Sequence, residues 1–255
     1  MIHHKALLSF VLLCVGICEI NAQVHLISAT RMEVDSRYDS CSNVSMRKLM
    51  ASYKTRLDKE ISRPIGTCGQ YMSASFPESL LSNFIADQLF AKAAELTSGS
   101  LDFSVINIGS LRAPLNPGII TVGDIYKIMP FENELVILEL KGSDVKSLFN
   151  EIVREGGAGV SNVKVEISGF KMKSLLIGGG ALDENKIYRV ATMDYLAEGN
   201  SGMTAFLKAV RRINTGLKAR NIYIEQIEKL TARGKTIDAR LDGRIKVISN
   251  LISLL

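Results

Sequence analysis

The chain has 255 residues, 47% of them hydrophobic and 22% charged, with a formal net charge of +5. That balance fits a globular protein with a substantial core and excludes disorder, a collagen-like repeat and a dense disulfide scaffold. Only three histidines occur, His3, His4 and His25, so a multi-histidine metal centre is excluded for this chain alone.

In chain order, residues 1–22 read as a secretory signal peptide. Lys5 precedes an apolar run from Ala6 to Cys18 that is shorter than the roughly 20 residues a membrane-spanning helix needs, and Ala22 offers a small residue for cleavage. A lipid-modified Cys18 is the alternative, with bulky Ile17 in front of it counting against it. Cleavage removes both His3 and His4 and leaves residues 23–255 as one exported domain, periplasmic or secreted. Lys5 and Glu19 cancel, so the charge stays at +5. Cys41 and Cys68 then form one disulfide or stand as two free buried thiols. The positive charge is spread along the chain without interleaved aromatics, which suits small anions rather than a nucleic-acid groove. No second apolar segment is long enough to cross a membrane.

Residues 23–35 read as extended. Val44, Leu49, Met50, Tyr53, Leu57 and Ile61 recur near a 3.6 period and predict a helix over 43–61. Pro64-Ile65-Gly66 ends it. A second helix is predicted over 79–96, a strand over 103–107, and a short helix from Thr121 to Met129 with Asp124 completing a capping box. Next come a strand over 133–140, a helix over 143–154, and a glycine-rich turn over 155–160 that lacks the Lys-Ser/Thr of a phosphate loop. Strands follow over 163–168 and 172–177, then a turn at Gly178-Gly179-Gly180 and a strand over 188–193. The spacing predicts helices at 203–212 and within 216–232, the latter basic and amphipathic, and a last strand over 244–248. Helices and strands mix without strict alternation, so the fold class is α+β.

Three segments in this order resemble the C-terminal, substrate-binding domain of the 5′-nucleotidase / UDP-sugar hydrolase family. The first is Pro77-Glu78-Ser79-Leu80-Leu81-Ser82-Asn83-Phe84-Ile85-Ala86-Asp87. The second comprises Asn107-Ile108-Gly109-Ser110-Leu111-Arg112, then Gly118 to Thr121, then Met129-Pro130-Phe131-Glu132-Asn133. The third runs from Tyr188 through Tyr195-Leu196-Ala197-Glu198-Gly199-Asn200-Ser201-Gly202. The resemblance implies a layered α/β/β/α arrangement of mixed sheets with flanking helices. It also implies half of an enzyme. In the family a metallophosphatase domain holds two metals and hydrolyses the ester, and that part has no counterpart in the segments quoted. No cofactor is then expected on this chain, the divalent metals being expected on a separate metallophosphatase chain. The expected function is to hold a nucleotide or nucleotide sugar for hydrolysis to nucleoside and phosphate. The alternatives are a stand-alone nucleoside-binding module without hydrolytic partner, and an interaction module whose pocket has decayed.

By that resemblance Phe131 and Tyr195 sandwich the base, and Asn107, Gly109, Arg112, Asn133, Asn200 and Ser201 complete the site. The bland reading makes the two aromatics core residues and Arg112 a surface ion pair. Arg112 suits a phosphate through its planar fork, and Gly109 lets backbone approach a ligand. Two departures stand out. Ser201 occupies the place where the family carries an Asp, and Ser73-Ala74-Ser75 stands where a basic residue is expected. Glu78, Asn83 and Asp87 read as a helix-start hydrogen-bond network rather than a metal or acid–base site.

Overall fold

The computed structural model describes residues 30–41 and 43–249. The expected signal peptide, His25 and residues 23–29 of the expected extended stretch lie outside them. The chain divides into two units, Met1–Met50 and Ala51–Leu255. In the first, residues 30–35 join no strand and a 3₁₀ helix spans Ser36–Cys41. Helix α1, Val44–Ile61, starts where Asn43 Oδ1 accepts from the Met46 amide at 3.1 Å. None of its residues is buried, although its apolar spacing is the helical one the sequence predicts.

The second unit is built on a five-stranded sheet in the order β10-β4-β9-β2-β5. Its strands are β10 (Arg211–Lys218), β4 (Glu134–Lys141), β9 (Ile187–Met193), β2 (Phe103–Ile106) and β5 (Gly159–Ser161). β2 and β9 run parallel and the other pairs are antiparallel, so the sheet is mixed. A second sheet of four strands sets β11 (Ile245–Ser249) parallel to β6 (Val163–Ser168), followed by β7 (Lys171–Ile177) and β8 (Gly180–Ala181). A small antiparallel pair joins β1 (Pro64–Cys68) to β3 (Gly118–Thr121).

Both faces of the five-stranded sheet are covered, which is why β4 reads as a nearly continuous apolar run. Side chains alternate along it. Leu135 and Ile137 enter one core with Leu81, Ile85 and Leu89 of α2 (Leu80–Leu96) and with Ile222, Tyr223 and Ile227 of the C-terminal helix (Ala219–Ala232). Val136, Leu138 and Leu140 enter the other, with Val145, Leu148, Phe149 and Ile152 of the helix Gly142–Arg154 and with Val165 and Leu175 of the second sheet. The layered α+β architecture expected from the sequence is what the chain adopts.

Helix starts follow local chemistry. Ser79 caps α2, its hydroxyl accepting from the Ser82 amide. Helix α3, Val122–Ile128, begins with the predicted capping box, the Thr121 amide donating to Asp124 at 2.9 Å. The remaining helices are α4 (Gly142–Arg154), the single turn α5 (Asp194–Ala197) and α6 (Ala219–Ala232). Three expectations need correction. Pro64-Ile65-Gly66 ends a helix but also opens β1. Gly159 belongs to strand β5, not to a turn. The helix predicted over 203–212 is a 3₁₀ helix over Thr204–Lys208 followed by edge strand β10, whose Ile213 pairs with Ile137 of β4. Pairing to β4 decides the conformation there over local spacing.

Candidate functional site

Chain direction gathers the candidate residues. β2 and β9 are parallel and adjacent, so their C-terminal ends lie at one edge of the sheet, and β4, antiparallel to β9, begins at that edge. Loops leaving β2 and β9 and the loop entering β4 therefore converge. The first carries Asn107 to Arg112, the second Tyr195 on α5, the third Phe131 and Asn133. Six of the eight residues predicted from the sequence line one cleft of about 160 Å³: Asn107, Gly109, Arg112, Phe131, Asn133 and Tyr195, with Ser110 beside them.

Each is held locally. A 3₁₀ turn over Ile108–Ser110 is closed by the Ser110 hydroxyl donating to the Asn107 carbonyl at 2.7 Å. The Arg112 amide donates to the Ile128 carbonyl at 2.8 Å, tying this loop to α3. A Cβ built on Gly109 meets no atom within 4 Å, so no packing contact demands glycine there. Asn133 Nδ2 contacts the Met193 sulfur at 3.5 Å, fixing its side chain against the end of β9.

Phe131 is 37% exposed and Tyr195 44% exposed, so neither is the core aromatic that the bland reading makes it. The Arg112 guanidinium stands over the Phe131 ring, 5.3 Å from its centroid. Among the described residues it forms no ion pair, so the surface salt bridge weighed for it is not made. A cation, two accessible rings and three side-chain amide or hydroxyl groups thus face a single opening.

Asn200 and Ser201 stand apart from the cleft lining. Asn200 is exposed and its Nδ2 donates to the Tyr195 carbonyl at 2.8 Å, closing the turn after α5. Ser201 holds a left-handed backbone, φ 54°, between Gly199 and Gly202, which are left-handed too. Its Oγ accepts from Asn107 Nδ2 at 3.4 Å, while Asn107 Oδ1 is buried without a partner.

Glu78, Asn83 and Asp87 form the structural network expected of them. Glu78 Oε1 accepts from Asn83 Nδ2 at 2.7 Å and from the Asp242 amide at 3.1 Å. Asp87 pairs with Arg244 at 2.7 Å. Burial alone would lower the Arg244 pKa, but its bonds to Asp242 and Asp87 raise it. This network ties α2 to the segment entering β11. Among the described residues no group of three or more His, Cys, Asp or Glu is placed to hold a metal ion. The Cys68 thiol is free and buried and donates to the Gln70 carbonyl at 3.0 Å. The side chain of Cys41 lies outside the described residues. No helix of the described residues is long and apolar enough to cross a membrane.

One residue bearing on the cleft gave no signal in the sequence. Arg220 is only 7% exposed and reaches the Phe131 loop from α6, where its neighbours read as an ordinary half-buried helix.

The chain spans about a third or less of the length of two curated relatives that it matches. It is 29% identical over 196 residues to the trifunctional nucleotide phosphoesterase protein YfkN of Bacillus subtilis, covering 71% of this chain and 13% of that one. It is 30% identical over 195 residues to protein UshA of Yersinia enterocolitica, covering 72% of this chain and 34% of the relative. Among solved structures, a 5′-nucleotidase precursor from Thermus thermophilus superposes with a TM-score of 0.69 at 25% identity, over 79% of this chain and 42% of that one. The family model of the 5′-nucleotidase C-terminal domain matches residues 61–208, more than half of the chain and all of the cleft. This chain belongs to the 5′-nucleotidase C-terminal domain family.

Proposed function

We propose that this chain holds the base of a nucleotide or nucleotide sugar between Phe131 and Tyr195. It presents the phosphate ester to a separate metallophosphatase chain, which supplies the divalent metals and cleaves it to nucleoside and phosphate. The observation that carries the reading is the pair of half-exposed aromatic rings lining one cleft with a guanidinium that has no carboxylate partner among the described residues. A base stacked on an aromatic ring gains about 1–3 kcal/mol and tolerates different bases. The cleft's 160 Å³ compares with the roughly 150 Å³ that accepts one benzene ring. It suits a planar ring, with sugar and phosphate extending outward past Arg112.

Two-metal ester hydrolysis requires side chains that clamp the metals, and acidic groups such as Asp87 and Glu134 are engaged in structural ion pairs instead. This reading assigns the metals to the partner. The apolar run at 6–18 supports export to the periplasm or the exterior.

The test combines binding and turnover. The chain by itself binds adenosine and AMP by calorimetry and releases no phosphate from AMP with divalent metal present. Added to its cognate metallophosphatase, it lowers KM for nucleotides and leaves cleavage of a small artificial phosphate ester unchanged, because an ester without a base cannot use the base site. Phosphate release by the pure chain sinks the split arrangement. Equal stimulation of both esters sinks the presenting role and leaves a stand-alone nucleoside binder.

A further inference from the structure

The loop that presents Phe131 and Asn133 is held through its carbonyls, and the donors come from three consecutive residues where β10 turns into α6. The Lys218 ammonium donates to the Glu132 carbonyl at 3.2 Å, and the Ala219 amide donates to the Asn133 carbonyl at 2.8 Å. Arg220 does most. Its Nη1 donates to the Phe131 carbonyl at 3.2 Å and lies 3.5 Å from that of Met129. Its Nη2 donates to the Glu132 carboxylate. Its guanidinium also lies over the Tyr126 ring, 4.1 Å from the centroid. These three residues lie beyond the 61–208 match of the family model.

A nearly buried guanidinium is a poor choice for stability alone. Removing the charge from water is expensive, and well-packed apolar residues often do as well in such places. Here one donor, Nε, has no hydrogen-bond partner, so the arrangement is not optimised as an ion pair. What the planar fork supplies, and an apolar residue does not, is direction: donors aimed at fixed carbonyl positions. Those carbonyls flank the Cα that carries the stacking ring. We propose that Arg220 is a positioning residue for the aromatic cleft, fixing Phe131 through the carbonyls of the loop that bears it. The proposal rests on the cleft being the nucleoside site.

The test is a double-mutant cycle on the full chain, with adenosine binding measured by calorimetry and thermal unfolding recorded for each variant. Arg220→Gln weakens adenosine binding about tenfold in the native background and less than about twofold in the Phe131→Ala background, since a group acting through Phe131 then has nothing to act on. Arg220→Lys keeps the charge without the fork and recovers only part of the loss. Native binding by folded Arg220→Gln overturns the proposal. So does an equal loss in both backgrounds, which marks a general structural role. If Arg220→Gln does not fold, Glu132→Ala takes its place in the cycle: this exposed carboxylate fixes Nη2, and its loss weakens binding about threefold only where Phe131 is present, no loss overturning the proposal. An unmutated chain that binds no adenosine overturns the nucleoside-site reading and this proposal with it. Binding that Phe131→Ala abolishes and Arg220 variants leave intact overturns the proposal alone.

Discussion

The guanidinium of Arg112 lies over the ring of Phe131, 5.3 Å from cation to ring centroid, so charge backs one face of the ring. Under the proposed function Arg112 acts twice, supporting the ring and offering a fork to the phosphate. Arg112→Ala is expected to weaken adenosine binding by about 0.5–1 kcal/mol, the worth of an exposed cation–π contact. It is expected to weaken AMP binding by about 1.5–3 kcal/mol, through the lost charged hydrogen bond. Calorimetry on both ligands decides it, and equal losses would remove the phosphate from Arg112.

Phe131→Ala and Tyr195→Ala each remove one stacking surface. Each is expected to weaken nucleoside binding by about 1–3 kcal/mol. Both side chains are well exposed, so melting temperatures should stay near that of the native chain. A fall in stability with binding intact would return both rings to a packing role.

Gly109 separates fold from site. Its Cβ position is empty of protein atoms, and its φ is not left-handed. Gly109→Ala is expected to change stability by no more than about 0.5 kcal/mol, while the methyl added at this cleft-lining residue weakens adenosine binding if the ligand approaches its backbone. Unaltered binding in this variant would mean that the ligand does not approach this backbone.

Much of this was legible in the chain. Long periodic segments such as α2 and the apolar run of β4 announce themselves because burial on one face or both writes a pattern. The Thr121–Asp124 capping box is local and was readable for the same reason. Strand β10 was not: Arg211-Arg212-Ile213-Asn214 is a polar edge strand, and only its ladder to β4 makes it a strand. β5 is three residues long and opens on a glycine. Six of the eight candidate residues share a cleft because motifs fix short loops at strand ends. Arg220 was silent because its partners are mainly backbone carbonyls some ninety positions away, and a carbonyl leaves no mark in a sequence.

The α3 cap has a defined pH dependence. Burial pushes the Asp124 carboxyl up, but the amide and hydroxyl of Thr121 and the ammonium of Lys127 outweigh it and hold the group below its ordinary value. A depressed carboxyl contributes stability fully above its unfolded pKa and loses it as pH falls through the lower folded value. Asp124→Asn is therefore expected to destabilise the chain by about 1 kcal/mol at pH 7. The gap should shrink below about pH 4. Denaturant unfolding at both pH values measures it, and a gap that is constant with pH would show that the charged cap contributes nothing.

Under the proposed function, Ser201 tests whether the cleft recognises the sugar as well as the base. Its left-handed backbone, φ 54°, is strained for an ordinary side chain, whereas Asp tolerates it better. Its Oγ sits 3.4 Å from Asn107 Nδ2, so a carboxylate placed there would gain a donor and stand beside Asn107, which lines the cleft, as a stronger acceptor for a sugar hydroxyl. Neutral Ser accepts more weakly. Ser201→Asp is expected to leave stability unchanged or slightly higher and to tighten adenosine binding by about 1.5–3 kcal/mol, the range for hydrogen bonds to charged groups. Binding of 2′,3′-dideoxyadenosine, which has no hydroxyl to offer, should stay as it was. AMP should gain less than adenosine, because the new carboxylate repels the phosphate that Arg112 attracts. If dideoxyadenosine gains as much as adenosine, the residue acts on the base or on the fold, and the sugar does not lie against the Asn107–Ser201 pair.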